Sequence, residues 1–284
     1  MPQLDSRSVA VAAALFSALM ALLMVFARLV RPLHRGFGAW TLAQLTFLAG
    51  ISLVGALRGL VPDWASVVAG NLLWLTSSWL VAEGFLRFHA QPRPFPVTFD
   101  LGLLALTGVF LRAAMDGPAN PRVAVIGALH AFFFLRAGLH PLASPAARRS
   151  LAQRALSAVC VGAAVFGLLR AGWALDQPPF LLLADDTSFL AAGLFAAVVN
   201  AAGVFFVLFL NFERSEDHLR VAVSQVRTLS GLLPICAACK KVRDDRGYWE
   251  QIETYLSDRS ELEFSHGICP SCFERLYPEG HDEG

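Results

Sequence analysis

The sequence predicts a mainly α-helical protein: a polytopic seven-helix transmembrane bundle followed by a small α+β domain of the zinc-ribbon or treble-clef kind. Three observations support this fold class. Hydrophobic residues make up 56% of the 284 residues, charged residues only 16% against about 25% in soluble proteins, and mean hydropathy is +0.55. The last 72 residues hold 23 of the 45 charged side chains. Two Cys-x-x-Cys pairs lie in this charged tail.

The body of the chain offers seven apolar segments between charged or proline-rich breaks. A spanning helix needs about 20 mostly apolar residues. Segment 98–115 is the weakest, because Asp100 and Arg112 leave an uninterrupted apolar run of only 11 residues. We predict a transmembrane domain (1–212), a helical connector (213–233) and a four-cysteine domain (234–284). The predicted spans are 8–27, 38–57, 64–86, 98–115, 121–140, 155–175 and 188–211.

Arginine placement predicts the orientation in the membrane. The first segment follows Asp5 and Arg7 and is itself followed by three arginines, which is typical of an uncleaved anchor with its N-terminus outside. With seven spans, the loops on the cytosolic side hold eight arginines and the opposite loops hold four. We therefore expect a multi-pass protein surrounded by membrane lipid, with a cytosolic C-terminus.

Polar side chains inside predicted spans are candidate functional positions, since they are costly in a bilayer. His130, Glu83, Asn71 and Arg136 are candidates for an intramembrane ligand or ion site. His130 lies nearest the middle of its segment. Structural roles remain open for all four. His130 can be a hydrogen-bonded core residue, and Glu83 lies one turn from the cytosolic end of its segment. Arg136 can extend to an interface, and Asn71 can hydrogen-bond between helices.

A motif near the third segment resembles a known sensor region. Residues 58–71 are RGLVPDWASVVAGN, and residues 84–88 are GFLRF. This stretch is similar to the seven-helix region that precedes bacterial diguanylate cyclases, where Pro-Asp-Trp-x-Ser opens the third helix, an Asn follows and Arg-Phe closes it. The chain has no Gly-Gly-Asp/Glu-Glu-Phe cyclase signature. The resemblance implies an input module in a bacterial inner membrane, not an output.

The connector carries an apolar seam at helical spacing. Its members, at steps of three and four, are Leu219, Val223, Val226, Leu229 and Leu233. Such a seam is the minimum for a short parallel coiled coil that continues the last span and forms a homodimer. The alternative is an amphipathic helix lying on the tail's own core or on the membrane surface.

The tail cysteines predict a metal site. Cys236 with Cys239, and Cys269 with Cys272, form two Cys-x-x-Cys pairs separated by 29 residues. In the reducing cytosol such pairs usually hold a metal, and four thiolates complete a closed tetrahedral zinc site of structural type. Zinc binding would supply folding energy that a tail of this size lacks. Cys160, in the sixth segment, is interpreted as a core residue.

Two alternatives stay open at this site. The cysteine spacing is close to that of rubredoxin, so iron is the second candidate, although Lys240 and Phe273 stand where rubredoxin knuckles carry glycine. His266 lies three residues before Cys269 and is a candidate ligand or hydrogen-bonding neighbour of the metal.

The rest of the tail predicts a small α+β module. Residues 244–247 have turn composition, and Trp249, Ile252 and Leu256 follow at helical spacing. Leu262 and Phe264 alternate with polar residues as in a short strand, and a helix is expected to begin at the second cysteine pair and end at Pro278.

The tail also resembles a C-terminal module of bacterial signalling proteins. The similar residues are 229–249, LSGLLPICAACKKVRDDRGYW, and 264–272, FSHGICPSC. In that family the module follows receiver, PAS or GAF domains through a coiled segment, and Cys236, Cys239, Cys269 and Cys272 match its metal knuckles. The resemblance implies signal transduction and supplies no reaction.

Together these features predict a sensor that passes a membrane or ligand signal to the zinc module and an unidentified cytosolic partner. The alternative is a small transporter or metal-handling protein whose tail senses metal. We predict no enzymatic activity, since the chain has no phosphate-binding loop, kinase signature or Gly-x-Ser-x-Gly elbow. A dense basic patch, as nucleic acid would require, is also missing from the sequence.

Overall fold

The computed structural model describes residues 6–30, 33–143, 150–179, 187–230, 234–244, 247–259 and 263–277, and it is mainly helical. It divides into two compact units, Met1–Asp217 and His218–Gly284. The division falls inside the predicted connector. In chain order the helices are α1 Ser6–Val30, α2 Phe37–Ile51, α3 Gly70–Phe88, α4 Val97–Ala113, α5 Asn120–Leu139, α6 Leu151–Asp176, α7 Thr187–Ser230, α8 Ile252–Ser257 and α9 Pro270–Leu276.

Each of the seven predicted spans overlaps a helix of the first unit. Among the described residues, six helices are long and apolar enough to cross a membrane. The segment predicted as the fourth span forms α4, whose 17 residues are too few for it to be counted with them. The seven-span count therefore stays a prediction. The six candidate spans are Arg7–Val30, Phe37–Ala56, Ala65–Phe88, Asn120–Ala143, Leu151–Asp176 and Ala192–Val223.

Small residues bring two of the central helices into backbone contact. α5 packs along α6, and a Cβ atom added at Gly127 would lie 2.6 Å from the carbonyl oxygen of Gly167. A Cβ added at Gly167 would lie 2.8 Å from the carbonyl oxygen of Gly127. Only glycine permits this approach, a common way for membrane helices to gain van der Waals contact.

The bundle has its main core where α2, α3, α6 and α7 meet. Trp40 packs edge-on against Phe85 at 5.3 Å between ring centroids, and its indole Nε1 donates to the carbonyl oxygen of Val81 at 3.2 Å. Leu156 and Val207 are buried in the same cluster. Because the indole nitrogen is satisfied, the ring can be buried without the cost of an unpaired donor.

The second unit begins within α7 and contains a small hairpin. β1 (Val242–Arg243) pairs antiparallel with β2 (Trp249–Glu250), with Val242 opposite Glu250. Gly247 turns the chain with a φ of 92°, and Asp244 Oδ1 accepts the Tyr248 main-chain N–H at 2.7 Å. Within the described part of residues 234–277, the buried side chains are Val242 and Tyr255. The hydrophobic core of this tail is therefore very small.

Three local predictions in the tail need correction or fall outside the described residues. Trp249 lies in β2, not in a helix with Ile252, because the turn before it pairs it with Arg243. Phe264 has no strand partner in the described residues 263–269, while Leu262 and Pro278 are not among the described residues. The helix at the second cysteine pair is present as α9, which begins directly after Cys269.

Candidate functional sites

A central cavity lies between five helices of the first unit, which we call the membrane unit because it contains the six candidate spans. It measures about 120 Å³ and is lined by α2, α3, α5, α6 and α7, with Met24 of α1 at one side. Most lining side chains are apolar, and none of the described ones is a carboxylate. Its volume is several times what a single water needs, so the cavity has room for part of a ligand. Its hydrophilic lining side chains are Gln44, Ser77, Ser78, His130, Arg170 and Asn200.

His130 is fixed in this cavity by one hydrogen bond and two rings. Its Nδ1 lies 2.9 Å from Ser78 Oγ, and that hydroxyl donates to the carbonyl oxygen of Trp74 at 3.2 Å. The Ser78 hydroxyl therefore links the imidazole of His130 on α5 to the main chain of α3. The ring packs 4.5 Å from Phe134 and 5.8 Å from Trp74, measured between centroids.

α2 and α7 are joined beside the cavity by a pair of amides. Asn200 Nδ2 donates to Gln44 Oε1 at 2.9 Å, and Gln44 Nε2 donates to Asn200 Oδ1 at 3.3 Å. Gln44 Nε2 also lies 3.1 Å from the carbonyl oxygen of Ser17 on α1. α7 therefore has a specific polar connection to the cavity wall.

A second cavity, which we call the Arg58 pocket, is strongly cationic. It measures about 60 Å³ and is lined by Arg58, Asn71, Arg122 and Arg170, together with apolar side chains. No carboxylate is among the described residues that line it. Burial and the nearby Arg122 cation lower the pKa of Arg58, and Asp63 opposes this shift in part. The guanidinium groups are thus close enough to repel one another.

Two π-helical turns shape the Arg58 pocket. Residues Ser52–Ala56 continue α2, and Ala65–Ala69 precede α3. Val54 and Val67, one from each turn, line the pocket. Asn71 follows the second turn, and its Nδ2 donates to the carbonyl oxygen of Val67 at 2.7 Å. π-helical turns are rare and are often found at functional sites.

The two cavities adjoin each other. Trp74, Ile126, Arg170 and Ala192 line both of them. The cationic pocket and the mainly apolar central cavity are therefore immediate neighbours.

The other two predicted intramembrane candidates lie in ion pairs and line neither cavity. Buried Glu83 accepts from Arg87 Nε at 2.8 Å and from Arg93, whose Nε lies 3.1 Å from Oε2. Arg136 Nη1 lies 2.5 Å from Asp100 Oδ1, and Trp79 Nε1 donates to Asp100 Oδ2 at 3.0 Å. These contacts join α3, α4 and α5.

The structure thus separates the four intramembrane candidates. His130 lines the central cavity, Asn71 the Arg58 pocket, and Glu83 and Arg136 form separate ion pairs. Arg58, Arg122 and Arg170 are three of the four arginines that the sequence places in the outer loops, and the sequence alone does not group them as one site. The available signal was that all three lie at predicted span ends on the same side of the membrane.

The cysteine pairs each form a knuckle with hydrogen bonds to sulfur. Main-chain N–H groups of Cys239 and Ala238 bond Cys236 Sγ and lower its pKa. The Ser271 hydroxyl and the Cys272 N–H lower the pKa of Cys269 to about 7. Lys240 adopts the left-handed conformation with a φ of 60° at the position where rubredoxin knuckles carry glycine. N–H···S bonds of this kind favour the thiolate, which is the form that binds metal.

The pairs are not gathered around one point. Among the described residues, no three His, Cys, Asp or Glu side chains form a group that could hold a metal ion. His266 is exposed and belongs to no such described group. The donor chemistry of each knuckle fits zinc or iron, and a four-sulfur site stays a prediction.

No family model matches the chain, and neither the curated proteins nor the solved structures include a significant match. Both resemblances noted in the sequence are therefore expectations, and the argument for function depends on the chain's own residues.

Proposed function

We propose that the chain is a sensor of the bacterial inner membrane that couples a signal in its helical bundle to a cytosolic, metal-folded signalling module. The observation that carries this proposal is the continuity of α7. This helix runs from Thr187 to Ser230, lines the central cavity between Ala192 and Val207, and continues past Asp217 into the second unit. A displacement of its cavity-lining part therefore passes directly into the tail.

Contacts just beyond the cavity support α7 as the moving element. Ser150 Oγ donates to Glu213 Oε2 at 2.5 Å, and Arg214 Nη1 donates to the carbonyl oxygen of Phe88 at 2.6 Å. The Arg214 guanidinium also lies 4.6 Å from the centroid of the Phe88 ring. These polar contacts hold α7 in one position, and a signal that broke them would permit a second, as a two-state relay requires.

The proposed topology has seven spans, an outside N-terminus and a cytosolic C-terminus. α4 is short, but its Asp100 is paired with Arg136 on α5, so its charge can be accommodated in the membrane. The arginine distribution favours this orientation.

In the tail, Cys236, Cys239, Cys269 and Cys272 would hold one structural zinc ion; iron is the second candidate. The described tail residues bury only Val242 and Tyr255, so the fold needs another source of stability. The order of knuckle, hairpin, helix and second knuckle supports a treble-clef or zinc-ribbon-like module. Leu219 and Val223 are 65% and 49% exposed, which supports a homodimeric connector. The module would act on a separate cytosolic partner and catalyse no reaction.

Metal content of the purified full-length chain tests the tail. We expect one zinc ion per chain, and its loss in Cys269→Ser. The matched control is Cys160→Ala, since Cys160 lies buried in the bundle core. Iron in the wild-type protein would indicate that the tail has a role in electron transfer instead. Absence of metal would contradict the proposal that the tail is a metal-folded module.

The relay is tested in the native bacterium by comparing transcripts in three strains: the gene deletion, a chain truncated after residue 233, and Cys269→Ser. We expect all three to change the same transcripts. A truncated chain that inserts at the normal level and restores wild-type transcripts would overturn the proposal. Solute or metal uptake by proteoliposomes containing the protein would favour a transporter instead, as a sensor should move nothing.

A further inference from the structure

We infer that the membrane unit binds an anionic amphiphile, with its charged head in the Arg58 pocket and its apolar chain in the central cavity. This inference deepens the proposed sensor function by naming the class of ligand, and it rests on that proposal only for the ligand's role as a signal.

The head-group site is assigned by charge. Arg58, Arg122 and Arg170 line one pocket of about 60 Å³, and no described lining residue is acidic. Guanidinium groups bind carboxylate and phosphate oxygens through paired hydrogen bonds. Arg122 is only 4% exposed; its Nη1 and Nη2 donate to the carbonyl oxygens of Met115 and Gly117, and its Nε has no hydrogen-bond partner in the described structure. A buried donor of this kind is costly unless a bound group accepts from it.

The site for the apolar chain is assigned by shape and lining. The central cavity shares lining residues with the Arg58 pocket, and its lining residues on α7 run from Ala192 to Val207, about 22 Å of helix at 1.5 Å per residue. Its walls are mainly aliphatic and aromatic. Such walls suit an alkyl chain, whereas a small hydrophilic anion would leave them without an apolar partner.

The motif of residues 58–71 contributes to the head-group site. Arg58 and Asn71 are its first and last residues, and Val67 lies between them in the second π-helical turn. All three line the Arg58 pocket. The predicted topology places this pocket on the outer side, so the ligand would enter from that side of the membrane.

Photoaffinity labelling tests the inference on the full-length protein in nanodiscs of zwitterionic lipid. The probe is a long-chain fatty acid with a diazirine near its methyl end, and the competitors are laurate, dodecyl phosphate, dodecanol and acetate. We expect adducts on the cavity-lining part of α7. We also expect at least one of the two anionic amphiphiles to block labelling at a concentration about tenfold or more below that of dodecanol. Acetate should not block labelling. The stronger anionic competitor identifies the head group.

Matched variants separate the head site from general binding. Arg58→Gln and Arg122→Gln should each weaken competition by the better anionic amphiphile about tenfold or more, and Arg58→Lys should restore part of the loss. Arg112→Gln is the control, because Arg112 is an exposed residue of α4 that lines neither cavity. Equal effects of all three glutamine variants would overturn the inference.

Filling the cavity gives a second matched pair. Gly203 lines the central cavity, and a Cβ added there meets no atom within 4 Å, so Gly203→Leu should abolish labelling of α7. A Cβ at Gly162 also meets no atom within 4 Å, but Gly162 lines neither cavity, and Gly162→Leu should label normally.

The inference is overturned if dodecanol or acetate competes as well as both anionic amphiphiles, or if adducts occur only on lipid-facing positions such as Leu15 and Val165. The transcript comparison above is independent of this result. If the amphiphiles fail to bind while truncation after residue 233 still changes transcripts, the ligand class is wrong and the sensor proposal stands. If the amphiphiles bind but truncation after residue 233 changes no transcripts, the relay is contradicted and the binding site still stands.

Discussion

The two ends of the helical bundle handle charge in opposite ways. At the end where α3 stops, which we call the Glu83 end, Glu83 and Asp100 are buried and each bonds an arginine. At the other end, three arginines line the Arg58 pocket without a carboxylate among the described lining residues. Both ends hold buried charge, but only the Glu83 end neutralises it with carboxylates that lie in the site itself.

This difference separates structural charges from candidate binding charges. A buried carboxylate that accepts from an arginine and a tryptophan, as Asp100 does, already has its hydrogen-bond partners and serves packing. Arg58 and Arg122 repel each other, which raises the energy of the empty site, and an anion bound between them would relieve this repulsion. Charge balance within each cluster therefore says more about function than the presence of a charge in a span.

The largest expected effect is at the Glu83 end, where Asp100→Ala would leave Arg136 buried and unpaired. Removing one partner of a buried ion pair usually costs about 3–5 kcal/mol. We expect a loss of this size in the free energy of unfolding, measured by reversible denaturant unfolding in mixed micelles. Asp176→Ala removes an exposed carboxylate at the end of α6 and should change stability little.

Replacing both members of the pair sharpens the same prediction. In Asp100→Leu with Arg136→Met no unpaired charge remains, so most of the lost stability should return. A double variant as unstable as Asp100→Ala would mean that the charges are needed for more than their mutual pairing.

A smaller effect is expected at the other end. Arg58→Gln removes a cation that repels Arg122 and has no lining carboxylate, so the unfolding free energy should change by less than about 1 kcal/mol. Arg136→Gln, which leaves Asp100 unpaired, should cost about 3–5 kcal/mol under the same conditions. Equal losses in the two variants would remove the distinction between the ends.

The smallest effect is a pH dependence at the Glu83 end. His89 Nε2 donates to Gln153 Oε1 at 2.8 Å, and burial, with a minor contribution from Arg214, lowers the His89 pKa. A lowered pKa means that the unfolded chain takes up a proton that the folded protein rejects. The associated stability is fully present above the unfolded value of about 6.5 and is lost as pH falls through the folded value.

We therefore expect the unfolding midpoint to fall slightly between about pH 7.5 and pH 5.5. His89→Gln should flatten this slope, and His266→Gln, at an exposed position, should leave it unchanged. An identical slope in wild type and His89→Gln would assign the pH dependence to other groups.

Local sequence patterns predicted the helices well and the sites only in part. Hydropathy located every helix of the bundle, because a long apolar helix can be recognised from its composition over about 20 residues. Hydropathy could not predict the ion pair between Asp100 and Arg136, since these residues are 36 positions apart and are brought together only by the packing of α4 on α5. For the same reason the sequence could not predict that Arg58, Arg122 and Arg170 line one pocket, since they lie on three different parts of the chain.

The tail shows a similar division. Cys-x-x-Cys spacing predicted both knuckles, because their geometry is local. The predicted helix through Trp249 was wrong, since the turn at Gly247 pairs that residue with Arg243 in a hairpin. Whether the two knuckles share one metal ion depends on long-range contacts, and the prediction stays open to the metal measurement.

Hydrogen–deuterium exchange of the full-length protein in nanodiscs tests the central claim, coupling along α7, most directly. The comparison is between wild type, Gly203→Leu, which fills the central cavity, and Gly162→Leu, which does not. If α7 is the relay, Gly203→Leu alone will change amide exchange in residues 213–230 as well as beside the cavity. A change that ends before Asn211, or an equal change in Gly162→Leu, would contradict the account.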